Sequence, residues 1–159
     1  MKRNRGLTLI ESVIALAVIL IVSSGVFFGL SPTSRAYRAL DRTSRELRSN
    51  LQYVQRKAIM EGTRYGIEFD TRNNSYVVIK ARTPFTATQF NRDDNIIHFA
   101  DGVSFVSTSR SHRIIYTARG TVDGGTTITL ASGPFRQEVR ILVTSGRVNV
   151  RDIIREVRG

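Results

Sequence analysis

Residues 7–30 form an apolar run broken by a single charge, Glu11, and beyond it the chain changes character. As a helix this run would reach roughly 36 Å, enough to cross a hydrocarbon core of about 30 Å. Past Pro32, apolar or small residues recur three and four apart, at Tyr37, Leu40, Ser44, Leu47, Leu51, Val54 and Ala58, the spacing of one helix face. Arg35, Arg38, Arg42, Arg45, Arg48, Arg56 and Lys57 fall largely on the other faces. The pattern predicts one long helix over 7–61, loosened around Ser23-Ser24-Gly25 and Ser31-Pro32. Its second half should pack on a sheet, and Gly62 should stop it.

After Gly62 the period becomes two. Strands are expected over Arg64–Asp70, Ser75–Ala81, Asn95–Phe99, Ser104–Val106, Arg113–Thr117, Thr126–Ala131, Arg136–Thr144 and Arg147–Arg151. Turn residues separate them, among them Thr71-Arg72-Asn73-Asn74, Asp101-Gly102, Ser132-Gly133-Pro134 and Ser145-Gly146. Pro84 to Asp94 is polar and aperiodic and reads as a mobile loop. Many strands after one helix point to an α+β fold, antiparallel sheets lying on a long N-terminal helix. The boundaries drawn are a basic leader over 1–6, a transmembrane helix segment over 7–30 and its amphipathic continuation over 31–61. A β-rich globular domain over 62–151 and a basic C-terminal tail over 152–159 follow.

Composition narrows the chemistry. The chain of 159 residues has no cysteine, so neither a disulfide framework nor a thiolate metal site is available. Two histidines, His98 beside a strand and His112 in a polar loop, are too few and too scattered for a metal centre. There is no Gly-rich phosphate loop and no nucleophile–base order. Asp93-Asp94 lacks the oxygen-ligand spacing of a calcium loop and reads as a solvated turn. The sequence therefore calls for no cofactor, no metal and no catalysis. Its formal charge of +11 suits polyanions or solubility.

Three readings compete for the N-terminus: a plain membrane anchor, a secretory signal cut near Val22-Ser23-Ser24, and a processed assembly helix. The apolar run is longer than the 7–15 residues of an ordinary signal. Neither of the first two explains Glu11, a carboxylate costing on the order of 1–3 kcal/mol in lipid. Charge alone leaves topology open, because Lys2, Arg3 and Arg5 on one flank face Arg35, Arg38, Arg42, Arg45 and Arg48 on the other.

Gly6-Leu7-Thr8-Leu9-Ile10-Glu11, after a basic leader and before a long apolar span, resembles the prepilin motif of type IV pilins and type II secretion pseudopilins. The resemblance implies cleavage by prepilin peptidase between Gly6 and Leu7, N-methylation of Leu7, and assembly through Glu11. Leu7 departs from the Phe or Met usual at that position. It further implies a cytoplasmic N-terminus, a periplasmic domain, anchorage in the bacterial inner membrane, and other pilins or pseudopilins as partners. The segments Arg56 to Ile67, Ile115 to Gly120, Thr126 to Leu130 and Arg140 to Val148 are similar to the GspH/FimT-type group of minor pilins and pseudopilins. Whether the chain serves a pilus or a secretion pseudopilus stays open.

A second function class is capture of DNA in natural transformation, as in FimT-type pilins. Loss of Lys2, Arg3 and Arg5 with the leader lowers the formal charge from +11 to +8, still basic. Gly146-Arg147 resembles the Gly-Arg start of the DNA-binding motif, with the next arginine four positions on. The candidate contacts are Arg147, Arg151, Arg155 and Arg158.

Overall fold

The computed structural model describes residues 9–29, 31–83, 86–108, 112–124 and 126–156, with side chains described over 9–22, 31–81, 91–93, 95–106, 112–124 and 126–156. Gly6, Leu7, Arg158 and the Pro84 end of the expected loop lie outside these residues. Two compact units divide the chain at Arg35/Ala36.

The first unit contains helix α1, Leu9–Gly29, unbroken through Ser23-Ser24-Gly25, where loosening was expected. Ile, Val and Leu carry the helix there, and one Gly costs only about 1 kcal/mol. The break comes at Ser31, which caps helix α2, Pro32–Met60. Ser31 Oγ accepts from the Ser34 amide at 3.2 Å and its carbonyl from the Arg35 amide at 3.1 Å, with Pro32 at the first helical position, where a missing N–H costs nothing. The expected helix is thus divided into two at Ser31-Pro32, the second of the places where loosening was expected. Among the described residues no helix is long and apolar enough to cross a membrane; the part of α1 with described side chains, Leu9–Val22, reaches about 21 Å.

In the second unit α2 buries Leu40, Thr43, Ser44, Leu47, Leu51, Val54 and Ala58. Tyr37, expected on that face, is half exposed and meets Phe135 edge-on at 5.6 Å. Gly62 ends the helix with φ of 60°. The Thr63 amide donates to Ala58 O at 3.2 Å and that of Gly62 to Ile59 O at 3.4 Å, so the last turn's carbonyls find partners.

Strands β1 (Tyr65–Asp70), β2 (Ser75–Thr83), β3 (Thr86–His98) and β5 (Arg113–Tyr116) form one antiparallel sheet in the order β3-β2-β1-β5. The second sheet runs β4 (Ser104–Thr108), β6 (Thr126–Ser132), β7 (Phe135–Ile141), β8 (Val148–Val150), and β9 (Ile154–Arg155) also pairs with β7. Phe69, Tyr76, Phe99 and Phe105 interleave in the core at centroid separations of 5.0–6.5 Å. Burial pushes the Tyr76 hydroxyl up to about 12, against the Asn50 amide donating to it at 2.6 Å.

Two strand expectations need correction. The segment read as a mobile loop is largely strand: β3 pairs with β2 from Thr86 to His98. As the outer strand of its sheet it needs no apolar alternation, and charges on such an edge deter stray pairing. Asp93, Asp94 and Asn95 bulge out opposite Val78 alone, between the pairs Val77–Ile96 and Ile79–Arg92. The strand expected over Arg136–Thr144 stops at Ile141, where Leu142 and Gly146 close a turn through Leu142 N to Arg147 O at 3.0 Å and Gly146 N to Leu142 O at 2.8 Å. Pairing also continues past Arg151, since Ile154 and Arg155 face Arg136 and Phe135 of β7.

Glu68 ties this first sheet together across its width. Its side chain is 14% exposed, and it accepts from Arg92 Nε on β3 at 2.8 Å and from Arg113 on β5 at 2.9–3.0 Å. The Arg92 bond, and then Arg113, hold the Glu68 carboxyl below its ordinary range, against the opposing effect of burial. A carboxyl whose folded value is depressed contributes stability above its unfolded pKa of about 4.3, and that contribution is lost as pH falls through the folded value. Glu68→Gln should therefore lower stability by about 1–2 kcal/mol at neutral pH, and its urea-unfolding curve should converge with that of the parent in acid. A constant gap across pH would show that the charge is irrelevant.

Candidate functional site

Glu11 lies in the first turn of α1, exposed, where a carboxylate also suits the positive end of the helix. The apolar side chains around it, from Leu9 to Val22, are likewise exposed; Ile10, Val13 and Ile14 show 68%, 58% and 58% of their surface. A helix apolar all round is one built to be covered, by lipid or by neighbouring helices.

The arginines singled out near the C-terminus do not form one patch. Arg147 follows Gly146, which abuts Gly120 and the Gln55 side chain near the end of α2. Arg155 sits opposite Phe135, whose ring touches Tyr37 near the start of the helix. Tyr37 and Gln55 are about 27 Å apart along α2, so the three described candidates are strung along the length of the helix. Arg147 is exposed; its amide donates to Ser145 Oγ at 3.3 Å.

Arg151 alone joins other charges. It lines a cleft of about 580 Å³ between α2 and the β8–β9 edge, with Tyr37, Asp41, Arg45 and Arg48 on the helix side and Val150, Asp152 and Ile153 on the other. Gln137 forms its floor. That side chain is 4% exposed; its Nε2 donates to Arg151 O at 2.9 Å and its Oε1 accepts from Ser44 Oγ at 2.5 Å. The Ser44 oxygen also lies 2.8 Å from Leu40 O, so one hydroxyl proton is shared between two acceptors. Through these bonds Gln137 holds the irregular stretch between β8 and β9 against the helix.

The helical spacing sets Arg45 and Arg48 off the packing face of α2 and gives no sign that they line a cleft. One signal pointed to it: Gln137 occupies a buried phase of β7 between Phe135 and Val139, where alternation calls for an apolar residue. A second cavity, about 590 Å³, lies on the first sheet beside Glu68, Arg92, Asp93, Ile96 and His112. Two of its charges, Glu68 and Arg92, are already paired with each other.

A family model of the prokaryotic N-terminal methylation motif matches residues 1–27, and one described as type II transport protein GspH matches residues 43–146. Among solved structures, the chain resembles the minor pseudopilin EpsH from the type 2 secretion system of Vibrio cholerae, at 12% identity and a TM-score of 0.54, over 70% of this chain and 95% of that one. It also resembles the type IV minor pilin FimU of Pseudomonas aeruginosa, at 16% identity and a TM-score of 0.55, over 71% of this chain and 88% of that one. No curated protein matches by sequence. At such identities the structural likeness is one of fold, which is the α+β, pilin-like arrangement expected. The GspH match spans more than half of the chain, and the chain belongs to the GspH family.

Proposed function

We propose that the chain is a minor pilin or pseudopilin subunit, cut by prepilin peptidase between Gly6 and Leu7 and methylated at Leu7. Residues 7–30 hold it in the inner membrane with the N-terminus in the cytoplasm, and Glu11 directs its assembly with other pilins or pseudopilins. The observation that carries this reading is the methylation-motif match over 1–27 followed by the GspH match over 43–146. The exposed apolar side chains of α1 support it.

Cleavage at Gly6 would place an ammonium at Leu7 within about a helical turn of the Glu11 carboxylate. In a filament core of low dielectric, Glu11 of one subunit neutralises the Leu7 ammonium of the next. Such a pair sets register more than it adds raw stability. Intact mass spectrometry of membrane-derived protein should give a chain beginning at Leu7 and carrying one methyl group. A mature chain beginning near Gly25 would overturn the reading in favour of an ordinary signal peptide.

DNA capture by the exposed domain is the second reading; it rests on the Gly146-Arg147 resemblance and the basic balance of the chain, since Arg147, Arg151 and Arg155 are spread out and do not form one patch. Phosphate contacts of this kind lose affinity steeply with salt. The oligonucleotide arm of the experiment below bears on it.

A further inference from the structure

We infer that the cleft between α2 and the β8–β9 edge binds an extended, acidic segment of a partner protein, taken up as an added strand along β8.

The open edge is the first support. β8 is the last strand of its sheet, beyond β7. In the β7–β8 ladder, Leu142 N donates to Arg147 O at 3.0 Å and Arg151 N to Glu138 O at 2.9 Å. Hydrogen-bonded and non-hydrogen-bonded pairs alternate in an antiparallel ladder, so Val148 and Val150 direct their backbone groups away from β7. Val148 is buried, but Val150 is only partly covered and lines the cleft. An edge with unused N–H and C=O groups is a template for another strand.

The second support is the charge facing that edge. Arg45 and Arg48 project from α2, and Arg151 from the strand side. Arg45 pairs with Asp41 at 3.1 Å with 76% of its side chain exposed, and Arg151 with Glu138 at 3.5 Å with 52% exposed. Exposed pairs of this kind are worth about 0–1 kcal/mol, so both guanidinium groups can exchange partners at little cost. Arg48 has no hydrogen-bond or ion-pair partner among the described residues. A guanidinium fork matches a carboxylate with two parallel bonds. Tyr37, Val150 and Ile153 add apolar surface for the alternate side chains of an extended peptide.

The same features argue for peptide over nucleic acid. Asp41 and Asp152 stand in the cleft and repel phosphates, whereas a peptide can place its carboxylates clear of them. The backbone groups of Val150 reward a partner strand, and a nucleic acid strand has no matching ladder to offer. The cleft volume is within the range of peptide and small-ligand sites, about 300–1,000 Å³.

The full chain in detergent is titrated at physiological ionic strength into a fluorescein-labelled peptide alternating aspartate and valine, with anisotropy as the readout. Saturable binding is expected. Arg48→Gln and Arg151→Gln should each weaken it several-fold with thermal unfolding little changed, because the backbone bonds of Arg151 survive and its exposed pair with Glu138 is worth only about 0–1 kcal/mol. Peptides N-methylated at alternate residues are tried in both registers; one of them should lose binding to a similar extent. An oligothymidylate of equal charge should fail to displace the peptide. The inference is overturned by absence of binding up to millimolar peptide, or by both methylated peptides binding like the parent. It is equally overturned by displacement with the oligonucleotide, which would assign the cleft to polyanions instead.

Discussion

Replacing Gly146 by alanine should destabilise the globular domain by about 2–4 kcal/mol, which is large for a surface turn. Two costs add. Gly146 has φ of 62°, a left-handed conformation that costs an alanine roughly 1 kcal/mol. A Cβ there would also collide with the Gly120 carbonyl oxygen and the Gln55 amide nitrogen, and would sit 3.1 Å from the Tyr116 ring. None of these neighbours can give way cheaply. Gln55 Nε2 spends both its hydrogens on Gly120 O at 2.8 Å and Ser145 O at 2.9 Å, and Tyr116 is fully buried. Overpacking against such fixed groups typically costs about 1–3 kcal/mol. Gly62→Ala is the control. Its φ is 60°, yet nothing lies within 4 Å of its would-be Cβ, so only the conformational cost should appear. Equal losses for the two variants in chemical denaturation would show that crowding at Gly146 is unimportant.

Glu11→Ala and Glu11→Leu should leave the protein membrane-inserted, since either makes the apolar run more apolar. Both should sharply reduce its incorporation into filaments. A Leu7 ammonium left unpaired in a dry core costs several kcal/mol, and each 1.4 kcal/mol is about tenfold in the assembly equilibrium. A simpler account is available: a carboxylate in the first turn stabilises α1 through the helix dipole, by about 0.3–1 kcal/mol. Glu11→Asp separates the two, because it keeps the charge near the helix start but shortens its reach. Recovery of assembly by Asp favours the dipole, whereas continued failure favours pairing with a neighbour. Normal co-purification of Glu11→Ala with sheared filaments would refute the pairing.

The helix face was legible because it is written locally. Leu40, Ser44, Leu47, Leu51, Val54 and Ala58 follow one spacing, and all are buried. Of β3 only the end, from Asn95, was legible. An edge strand is held by backbone bonds, so Asn91, Arg92 and Asp93 can occupy it without the alternation that marks a half-buried strand. The ties made by Glu68 were hidden for another reason, since Arg92 and Arg113 reach it from 24 and 45 residues away. The cleft was least visible of all, because it brings residues 37–48 together with 137–153. Gly146-Arg147 shows how a short motif can carry two meanings: the resemblance marks it as the start of a nucleic-acid contact, while Gly120 and Gln55 require the glycine on steric grounds alone.

The polar clasps on α2 also bear on when the domain can fold. Ser44 waits for a partner 93 residues later in the chain, and Gln55 for partners 65 and 90 residues later. Contacts of such high order close slowly, because the entropy of large loops is lost before any bond forms. A chain halted before residue 137 would leave the helix amphipathic but unclasped, and one halted before residue 148 would bare the outer edge of β7. Productive folding is thus deferred until nearly the whole domain has been made, and truncated products are natural substrates for aggregation or for quality-control proteases.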